Sequence, residues 1–466
     1  MFASTFFSPK PTTLLHTTLI QTDSLRLFER GAESCGQDFL AHPFWDKYIE
    51  FEERFEQTDR IFDILARVIH LPLHQYSRYF ERYNNMSKQQ PIEKLAAPEI
   101  ITAFRNEIQH ATGNPADPER DLRPRLEAYL WECFLQTQTE VTKRWTYEQG
   151  IKRPYYHVTD LDQEELDNWK KYLDAEEQEG DYERVKFLYE RCLVTAANYE
   201  EFWFRYVRWL AAQNGKGEEA RSVYQRASCV YLPIALPAIR LQWAKFEESQ
   251  GRVQVAIAIH DAIIQRLPSH FETIKSLANL QRRHNGVEAA IKVLTYYIEI
   301  GTGRCDDQTR GALTAEWARM LWRCLGSSDR ARSVFRMGQK QFLDSEPFWS
   351  SFLTFEMEQP HSELEEKKVS ESRIKSEPNT RFRSEFDDGD CVPHDEPKDG
   401  TAHERIKHVV KQIRTKFNLP REVIKGLSSK YMRYLEERGG QGAMEELLKL
   451  DFELNGPTSV QAGTGA

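Results

Sequence analysis

Residues 202–206 read Phe-Trp-Phe-Arg-Tyr, and two other segments have the same arrangement of aromatic side chains. They read Phe-Trp-Asp-Lys-Tyr at 44–48 and Phe-Trp-Ser-Ser-Phe at 348–352. In each segment a second aromatic residue follows the tryptophan after three positions, which places both rings on one face of an α-helix. The predicted core positions of all related segments are Trp45, Tyr48, Trp169, Tyr172, Trp203, Tyr206, Trp243, Phe246, Trp317, Trp349 and Phe352.

The spacing of these segments indicates a repeat. From Trp169 onward the tryptophans follow at intervals of 34, 40, 74 and 32 residues, and the interval of 74 fits two units. A second motif recurs between them, since residues 220–224 read Ala-Arg-Ser-Val-Tyr and residues 331–335 read Ala-Arg-Ser-Val-Phe. Glycines such as Gly180 and Gly251 separate the two helices of a unit, as tight turns require. We predict an all-α fold, an α-solenoid of stacked antiparallel helix pairs that forms a curved superhelix.

Length, charge and cysteine content narrow the class of protein. A chain of 466 residues exceeds the size at which one hydrophobic core usually keeps growing, which favours an elongated array. The net charge of -9 argues against a protein that coats nucleic acid, because phosphate neutralisation needs a basic excess. The seven cysteines form no CxxC pair, so neither a disulfide framework nor a zinc site is expected. No apolar stretch is long enough to predict a membrane helix.

Two polar segments interrupt the repeat. Residues 84–125 are rich in Asn, Gln, Pro and charge, and residues 360–403 contain twelve acidic and seven basic residues with almost no aliphatic side chains. Such segments cannot offset the entropy lost on ordering, so both are predicted to be disordered insertions. The predicted organisation is an irregular or frayed N-terminus at 1–35, N-terminal repeats at 36–83, the polar insertion at 84–125, a central repeat array at 126–359, the acidic loop at 360–403, C-terminal repeats at 404–455 and a disordered tail at 456–466.

Catalytic signatures are missing from the sequence. Gly215-Lys216 lacks the glycine five residues earlier that a P-loop needs, because position 210 is leucine. His403 and His408 are five residues apart, so their imidazoles diverge on a helix and do not form the zinc-binding pair of metalloproteases. We therefore predict that the protein is not an enzyme and has no catalytic, cofactor-binding or metal-binding residues.

One segment has a composition suited to binding. Residues 152–157 read Lys-Arg-Pro-Tyr-Tyr-His, and the candidate partner-binding residues are Lys152, Arg153, Tyr155 and Tyr156. Cations beside aromatic rings can bind RNA or a peptide. Three interpretations stay open: a rigid linker whose tyrosines dock on neighbouring helices, a contact with a partner protein, and a direct contact with RNA.

The same region resembles a known family. Lys143-Arg144-Trp145 precedes Glu-Gln-Gly-Ile-Lys-Arg-Pro-Tyr-Tyr-His-Val at 148–158, and Leu-Tyr-Glu-Arg-Cys at 188–192 and Tyr-Glu-Glu-Phe-Trp at 199–203 follow. These motifs are similar to those of the pre-mRNA-processing factor 39 family, and the resemblance covers about residues 36–360. It implies repeats of the HAT (half-a-tetratricopeptide) type. It also implies a nuclear, non-catalytic scaffold of the U1 small nuclear ribonucleoprotein (U1 snRNP) that assists 5′ splice site recognition and early spliceosome assembly.

The resemblance implies partners as well. Members of the family dimerise through C-terminal repeats, as homodimers or with a related HAT-repeat paralogue, which makes Tyr431, Tyr434 and Leu435 the candidate dimer region. Other expected partners are U1 snRNP and splicing proteins, with mostly indirect association with RNA and no membrane. The chain departs from the family pattern because HAT repeats expected upstream of Phe44 are not recognised and the acidic loop enlarges one C-terminal unit.

Two other functions stay open. One is a HAT-repeat scaffold of another RNA-processing complex, for 3′-end cleavage or ribosomal RNA processing. The more distant one is a helical-repeat subunit of an enzyme such as a prenyltransferase, which also uses helix pairs marked by tryptophan.

Overall fold

A computed structural model describes residues 11–112, 118–300, 305–359, 402–415, 419–439 and 442–456. These ranges contain twenty α-helices and no β-strand. The helices are α1 (Pro11–Cys35), α2 (His42–Arg54), α3 (Thr58–Val68), α4 (Tyr76–Ser87), α5 (Pro98–Thr112), α6 (Pro118–Gln149), α7 (Gln163–Glu179), α8 (Tyr182–Thr195), α9 (Glu200–Ala212), α10 (Gly217–Arg226), α11 (Ala238–Ser249), α12 (Val253–Arg266), α13 (Phe271–Asn285), α14 (Val287–Ile300), α15 (Asp307–Arg323), α16 (Ser328–Gly338), α17 (Glu346–Met357), α18 (Ala402–Thr415), α19 (Arg421–Arg438) and α20 (Ala443–Asn455).

The contacts divide the chain into two compact units, Met1–Gly217 and Glu218–Ala466. Within each unit, helices that follow each other in the chain pack together, as α7 does on α8 in the first unit and α13 on α14 in the second. Helices of successive pairs also pack together, as α15 does on α17. Short connections make the paired helices antiparallel. The predicted all-α solenoid of stacked helix pairs is therefore confirmed.

The turn between α7 and α8 shows how the sequence closes a hairpin. Gly180 ends α7 with a φ of 80°, a left-handed conformation that residues with a Cβ atom rarely adopt, and its N–H donates to the carbonyl of Glu176 at 3.1 Å. The next residue, Asp181, begins α8 by accepting hydrogen bonds from the backbone N–H groups of Glu183 and Arg184. Two residues thus reverse the chain.

The aromatic stripe lies mostly in the interior. Eight of the predicted core residues are buried: Trp45, Tyr48, Trp169, Tyr172, Trp203, Tyr206, Trp349 and Phe352. Three of these indoles donate their N–H to a backbone carbonyl shortly before them in the chain: Trp45 to Gly36 at 3.0 Å, Trp203 to Ala197 at 2.8 Å and Trp349 to Phe342 at 3.0 Å. The bond satisfies the one polar atom of the ring and ties the preceding loop to the helix.

Three predicted core residues, Trp243, Phe246 and Trp317, are only half-buried. In α11 the buried positions include Ala244 and Glu247, each one residue later than a predicted ring, and the Trp243 indole donates to the Glu247 carboxylate at 2.9 Å. A shift of one residue rotates a helix face by about 100°. The indole therefore lies at the edge of the core. Trp317 likewise packs against the margin of the core of the second unit.

The prediction of a largely disordered insertion at 84–125 is wrong for most of this segment. It contains a 3-10 turn at Ile92–Lys94, all of α5 and the beginning of α6. Leu95, Ile101, Phe104 and Leu122 are buried in the core of the first unit. Ile101 and Phe104 share one face of α5, and together with Leu95 and Leu122 they were enough to order a segment whose average composition is polar. Residues 113–117 lie outside the described residues.

The predicted irregular N-terminus is also wrong from Pro11 onward, because α1 spans Pro11–Cys35. Phe28 stacks on Tyr48 with ring centroids 4.8 Å apart, and Ala32 is buried against the same core. The Tyr48 hydroxyl donates to the Glu29 carboxylate at 2.6 Å. The many Ser and Thr residues of the segment obscured this helical spacing.

Other predictions fall outside the described ranges. Residues 360–401 of the acidic loop and residues 457–466 of the tail are not described, and α18 begins at Ala402. Among the residues that are described, no helix is both long and apolar enough to span a bilayer.

Candidate partner-binding surface

The candidate binding segment is the non-helical linker between α6 and α7, residues 150–162. Hydrogen bonds of Arg153 fix the conformation of this segment. The guanidinium donates to the Thr159 hydroxyl at 2.9 Å and to the Thr159 carbonyl at 3.0 Å, and the Arg153 backbone N–H donates to the Glu165 carboxylate at 3.2 Å. These bonds hold the linker in one conformation against the start of α7.

Both cations of the linker face groups of their own chain. The Lys152 ammonium lies 3.5 Å from Glu164 and 3.8 Å from Asp162, and the Arg153 guanidinium is bonded to Thr159. Contacts with RNA phosphates need cations whose charge is not already compensated. The geometry therefore gives little support to RNA contact through Lys152, whereas the bonds of Arg153 to Thr159 orient its guanidinium without neutralising the charge.

The tyrosines of the linker point into solvent. The exposed fractions are 60% for Tyr155, 50% for Tyr156 and 75% for Val158, which the sequence analysis did not single out. Half or more of each tyrosine thus faces solvent, and the interpretation that these rings dock on neighbouring helices stays a prediction. Exposed apolar side chains on a fixed loop favour a contact with a partner protein.

An ion-pair network anchors the helices on either side of the linker. Arg144, buried on α6, bonds to Glu176 of α7 at 2.5 Å, to Glu179 at 2.7 Å and to Glu140. Burial alone would lower the pKa of the Arg144 guanidinium, but its carboxylate partners raise the pKa above its ordinary value. Burial likewise opposes the shift at Glu140, but hydrogen bonds from Lys143 and Arg144 lower the pKa of Glu140 to about 2. Arg144 and Glu140 are therefore both charged at neutral pH.

A second network joins α8 to α6. Arg191 contacts both oxygens of Glu148, at 2.5 and 2.7 Å, and lies 3.0 Å from Asp38. The Tyr172 hydroxyl donates to the same Glu148 at 2.9 Å. The repeat core and the base of the linker are thus connected by charged hydrogen bonds. The sequence motifs that carry the family resemblance include Glu148 and Arg191, but they could not indicate that these two residues pair.

The candidate dimer residues lie inside the protein. Tyr431, Tyr434 and Leu435 are buried in the core of the second unit, and the Tyr431 hydroxyl donates to Glu446 of α20 at 3.1 Å. Burial raises the pKa of the Tyr431 hydroxyl, and the negative charge of Glu446 raises it further. Their assignment as contact residues for a partner is therefore corrected: they pack α19 against the core and α20, and are not available at the surface.

The exposed apolar residues of the C-terminal region are on α20 instead. Met444, Leu448 and Phe452 are 51%, 68% and 60% exposed, and their spacing of four residues places them on one helix face. The opposite face, with Ala443 and Leu450, packs on the core. The sequence of α20 has more apolar residues than one buried face needs. This excess is the signal that could have identified the surface.

A third exposed apolar region lies on α6. Trp131 is 53% exposed, Leu135 44% and Trp145 40%. Trp131 stacks on Phe134 with ring centroids 5.0 Å apart, and Trp145 stacks on His74 at 5.1 Å. Contiguous exposed apolar side chains are typical of interaction surfaces. Both belong to a helix of 32 residues, longer than any of the other described helices.

The fold and these surfaces define a helical-repeat scaffold of the HAT type. Its repeated aromatic positions are structural, and its exposed features are apolar patches and a fixed linker. Within the described ranges, no group of three or more His, Cys, Asp or Glu side chains could hold a metal ion. Comparison with known proteins supports this class: the family model for the PRP39 C-terminal HAT repeat matches residues 142–283, and that for the PRP39 N-terminal HAT repeat matches residues 11–85.

The chain belongs to the pre-mRNA-processing factor 39 family. It is 38% identical over 459 residues to Pre-mRNA-processing factor 39 of Schizosaccharomyces pombe, across 93% of this chain and 68% of that protein. It is 32% identical to Pre-mRNA-processing factor 39 of Homo sapiens, across 57% of this chain and 43% of that protein. A more distant relative is Cleavage stimulation factor subunit 77 of Arabidopsis thaliana, 24% identical across 72% of this chain and 44% of that protein. The chain thus spans about two thirds of the yeast relative and less than half of the human one.

Proposed function

We propose that this protein is a non-catalytic scaffold in nuclear pre-mRNA splicing, associated with the U1 snRNP, where it assists 5′ splice site recognition and early spliceosome assembly. The observation that carries the proposal is the identity of 38% with Pre-mRNA-processing factor 39 across 93% of the chain. The described surface supports a scaffold because it exposes large aromatic and aliphatic side chains, such as Trp131, Tyr155 and Leu448, as surfaces that bind proteins do. We propose that partner proteins of the splicing machinery bind these patches.

The proposal is tested by purifying the tagged chain from nuclear extract and sequencing the RNA that accompanies it. Enrichment of U1 small nuclear RNA over the other spliceosomal RNAs is the expected result. Because the chain has a net charge of -9 and Lys152 faces carboxylates of its own chain, we propose that this RNA associates mainly through proteins. Deproteinised U1 RNA should therefore not be retained by the purified chain. Capture of other RNAs with no U1 RNA would refute the U1 assignment.

A second candidate is a scaffold in mRNA 3′-end cleavage. The observation that favours it is the similarity to Cleavage stimulation factor subunit 77 over 72% of this chain. The same purification separates the two candidates. Recovery of cleavage factors and of RNA fragments that end at polyadenylation sites would support the second.

We further propose that the chain dimerises, with a second copy or a related paralogue, through the exposed face of α20. The apolar side chains Met444, Leu448 and Phe452 support this surface in place of the buried tyrosines. Light scattering during gel filtration should show a dimer for the parent or for the mixture with the paralogue. The double variant Leu448→Glu, Phe452→Glu should be monomeric, and the control Lys449→Glu, at an exposed position of the same helix, should behave as the parent. A dimer that survives the double variant would refute this surface.

A further inference from the structure

An open cleft of about 620 Å³ lies on the first unit between α7 and α9. Its lining consists of Glu177, Glu201, Phe204, Arg205, Arg208 and Trp209. The volume falls within the range of sites that hold small molecules or a few residues of a peptide, about 300 to 1,000 Å³. None of these residues belongs to the linker, the predicted repeat core or the α20 face.

One wall of the cleft is rigid. The Trp209 ring stacks on Tyr182 with centroids 5.1 Å apart and an interplanar angle of 20°, and it lies 5.6 Å from the Tyr189 ring. Tyr189 in turn stacks on the buried Tyr206 at 4.6 Å. Aromatic rings held in this way present a surface whose orientation is set before a ligand arrives, which reduces the entropy lost on binding.

The charges in the cleft are compensated, with one exception. Arg205 bonds to Asp174 at 2.6 Å and to Glu177 at 3.0 Å, and Glu201 pairs with Lys170 at 3.0 Å.

Arg208 is exposed and has no ion-pair or hydrogen-bond partner among the described residues. It directly precedes Trp209 in the same helix, and both residues line the cleft. The cleft therefore offers one uncompensated guanidinium beside an aromatic wall formed by Trp209 and Phe204.

We propose that this cleft binds a peptide segment of a partner protein in which an acidic residue adjoins an apolar one. The carboxylate would bond to Arg208, and the apolar side chain would pack on Trp209 and Phe204. Single-stranded RNA fits less well, because the carboxylates of Glu177 and Glu201 also line the cleft and a chain of phosphates needs several free cations. The inference rests on the proposed scaffold function and names a contact point for it.

A similar cleft in the second unit provides an internal control. It measures about 490 Å³, between α15 and α17, and also combines an indole with arginines: Arg319, Trp322 and Arg323. There Arg319 pairs with Glu316, while Arg323 covers the Trp322 ring at 4.1 Å and pairs with Glu358. No arginine of this second cleft is left uncompensated, so it should not select acidic peptides.

The test is a peptide array in which the two central positions sample all twenty residues, probed with the full chain. Peptides with Asp or Glu next to an apolar residue should bind more strongly than their Asn or Gln counterparts. The best peptide, labelled with fluorescein, should lose about tenfold or more in affinity by anisotropy with Arg208→Gln, because a charged hydrogen bond is lost. The control Arg323→Gln should bind as the parent does. Arg208 is exposed, so circular dichroism of its variant should match the parent.

Three outcomes would overturn the assignment. They are an array without preference for acidic residues, a preference that persists in Arg208→Gln, and displacement of the peptide by single-stranded oligouridine with an affinity that depends on Arg208. The last would assign the cleft to RNA. None of them changes the RNA enrichment by which the scaffold function is judged, so failure of the cleft and failure of that function are distinguishable.

Discussion

Replacing Arg144 by alanine should loosen the junction between α6 and α7. Its side chain is only 4% exposed, and so is that of its partner Glu176. Removal of one member of a buried ion pair typically costs about 3 to 5 kcal/mol, because the other charge stays buried without compensation. Arg184 remains 3.5 Å from Glu176, and Glu179 is about a third exposed, so both can recover part of the loss. We therefore expect a cost near the lower limit, about 3 kcal/mol.

Hydrogen exchange measured by mass spectrometry is the appropriate assay, because a chain of two units does not unfold in one step. A local loss of about 3 kcal/mol corresponds to roughly a hundredfold faster exchange of the slowest amides in α6 and α7. Amides of α13 and α14, in the other unit, should exchange as in the parent. The matched control is Lys47→Ala, which breaks an exposed pair with Glu50 and should change exchange by less than about threefold.

A double variant separates charge from packing. In Arg144→Met, Glu176→Leu both charges are absent, and apolar replacements of buried ion pairs are often neutral. Exchange in α6 and α7 should return to within about tenfold of the parent. If Arg144→Ala exchanged as slowly as the parent, or if the double variant were the less stable of the two, the network would not be what holds these helices together.

Three further outcomes are expected. Trp203→Ala should cost roughly 3 to 5 kcal/mol in denaturant unfolding, and the half-buried Trp317→Ala clearly less, because the cavity it leaves is open to solvent. Burial lowers the pKa of His260 below its ordinary 6.5, so the unfolded chain takes up the proton first as the pH falls. The stability that neutral His260 contributes is therefore complete above pH 6.5 and is lost below it. Between pH 7 and 5, the melting temperature of His260→Gln should decline less than that of the parent. Tyr155→Ser with Tyr156→Ser should reduce co-purification of splicing proteins at unchanged helicity, and undiminished recovery would exclude the linker as a contact.

The repeat could be predicted because its signal is local. An aromatic pair three residues apart and a period of 31 to 40 residues specify a helical hairpin irrespective of what surrounds it. Which face of a helix packs against its neighbours depends on residues far away in the chain. For this reason Trp243 and Trp317 were predicted to lie deeper in the core than they do. Tyr431 presents the opposite case, since an aromatic residue expected at an interface between chains completes the core of its own unit.

The disorder expected for residues 84–125 failed for a related reason. Mean polarity measures whether a segment can form a core by itself, whereas α5 only has to add one apolar face to a core that already exists. Ile101 and Phe104 provide that face. The cleft beside Arg208 could not be predicted at all, because the uncompensated charge of Arg208 follows from the pairing of Arg205 and Glu201 with residues of another helix.

The buried glutamates show that the sequence pattern contains information on contacts between helices as well as the length of the repeat. Glu176 and Glu356 each follow a tryptophan by seven residues and form an ion pair with an arginine of the preceding helix. The partner of Glu176 is Arg144. The partner of Glu356 is Arg332, which belongs to the recurring Ala-Arg-Ser-Val motif. Glu52 has the same position after Trp45, but α1 supplies no arginine there. Its nearest cation is 3.8 Å away on α3, and burial raises its pKa. At Arg332 and Glu356 the two motifs of the repeat thus supply the two halves of one ion pair between successive hairpins, whereas Arg144 supplies the same kind of partner from a helix without the second motif.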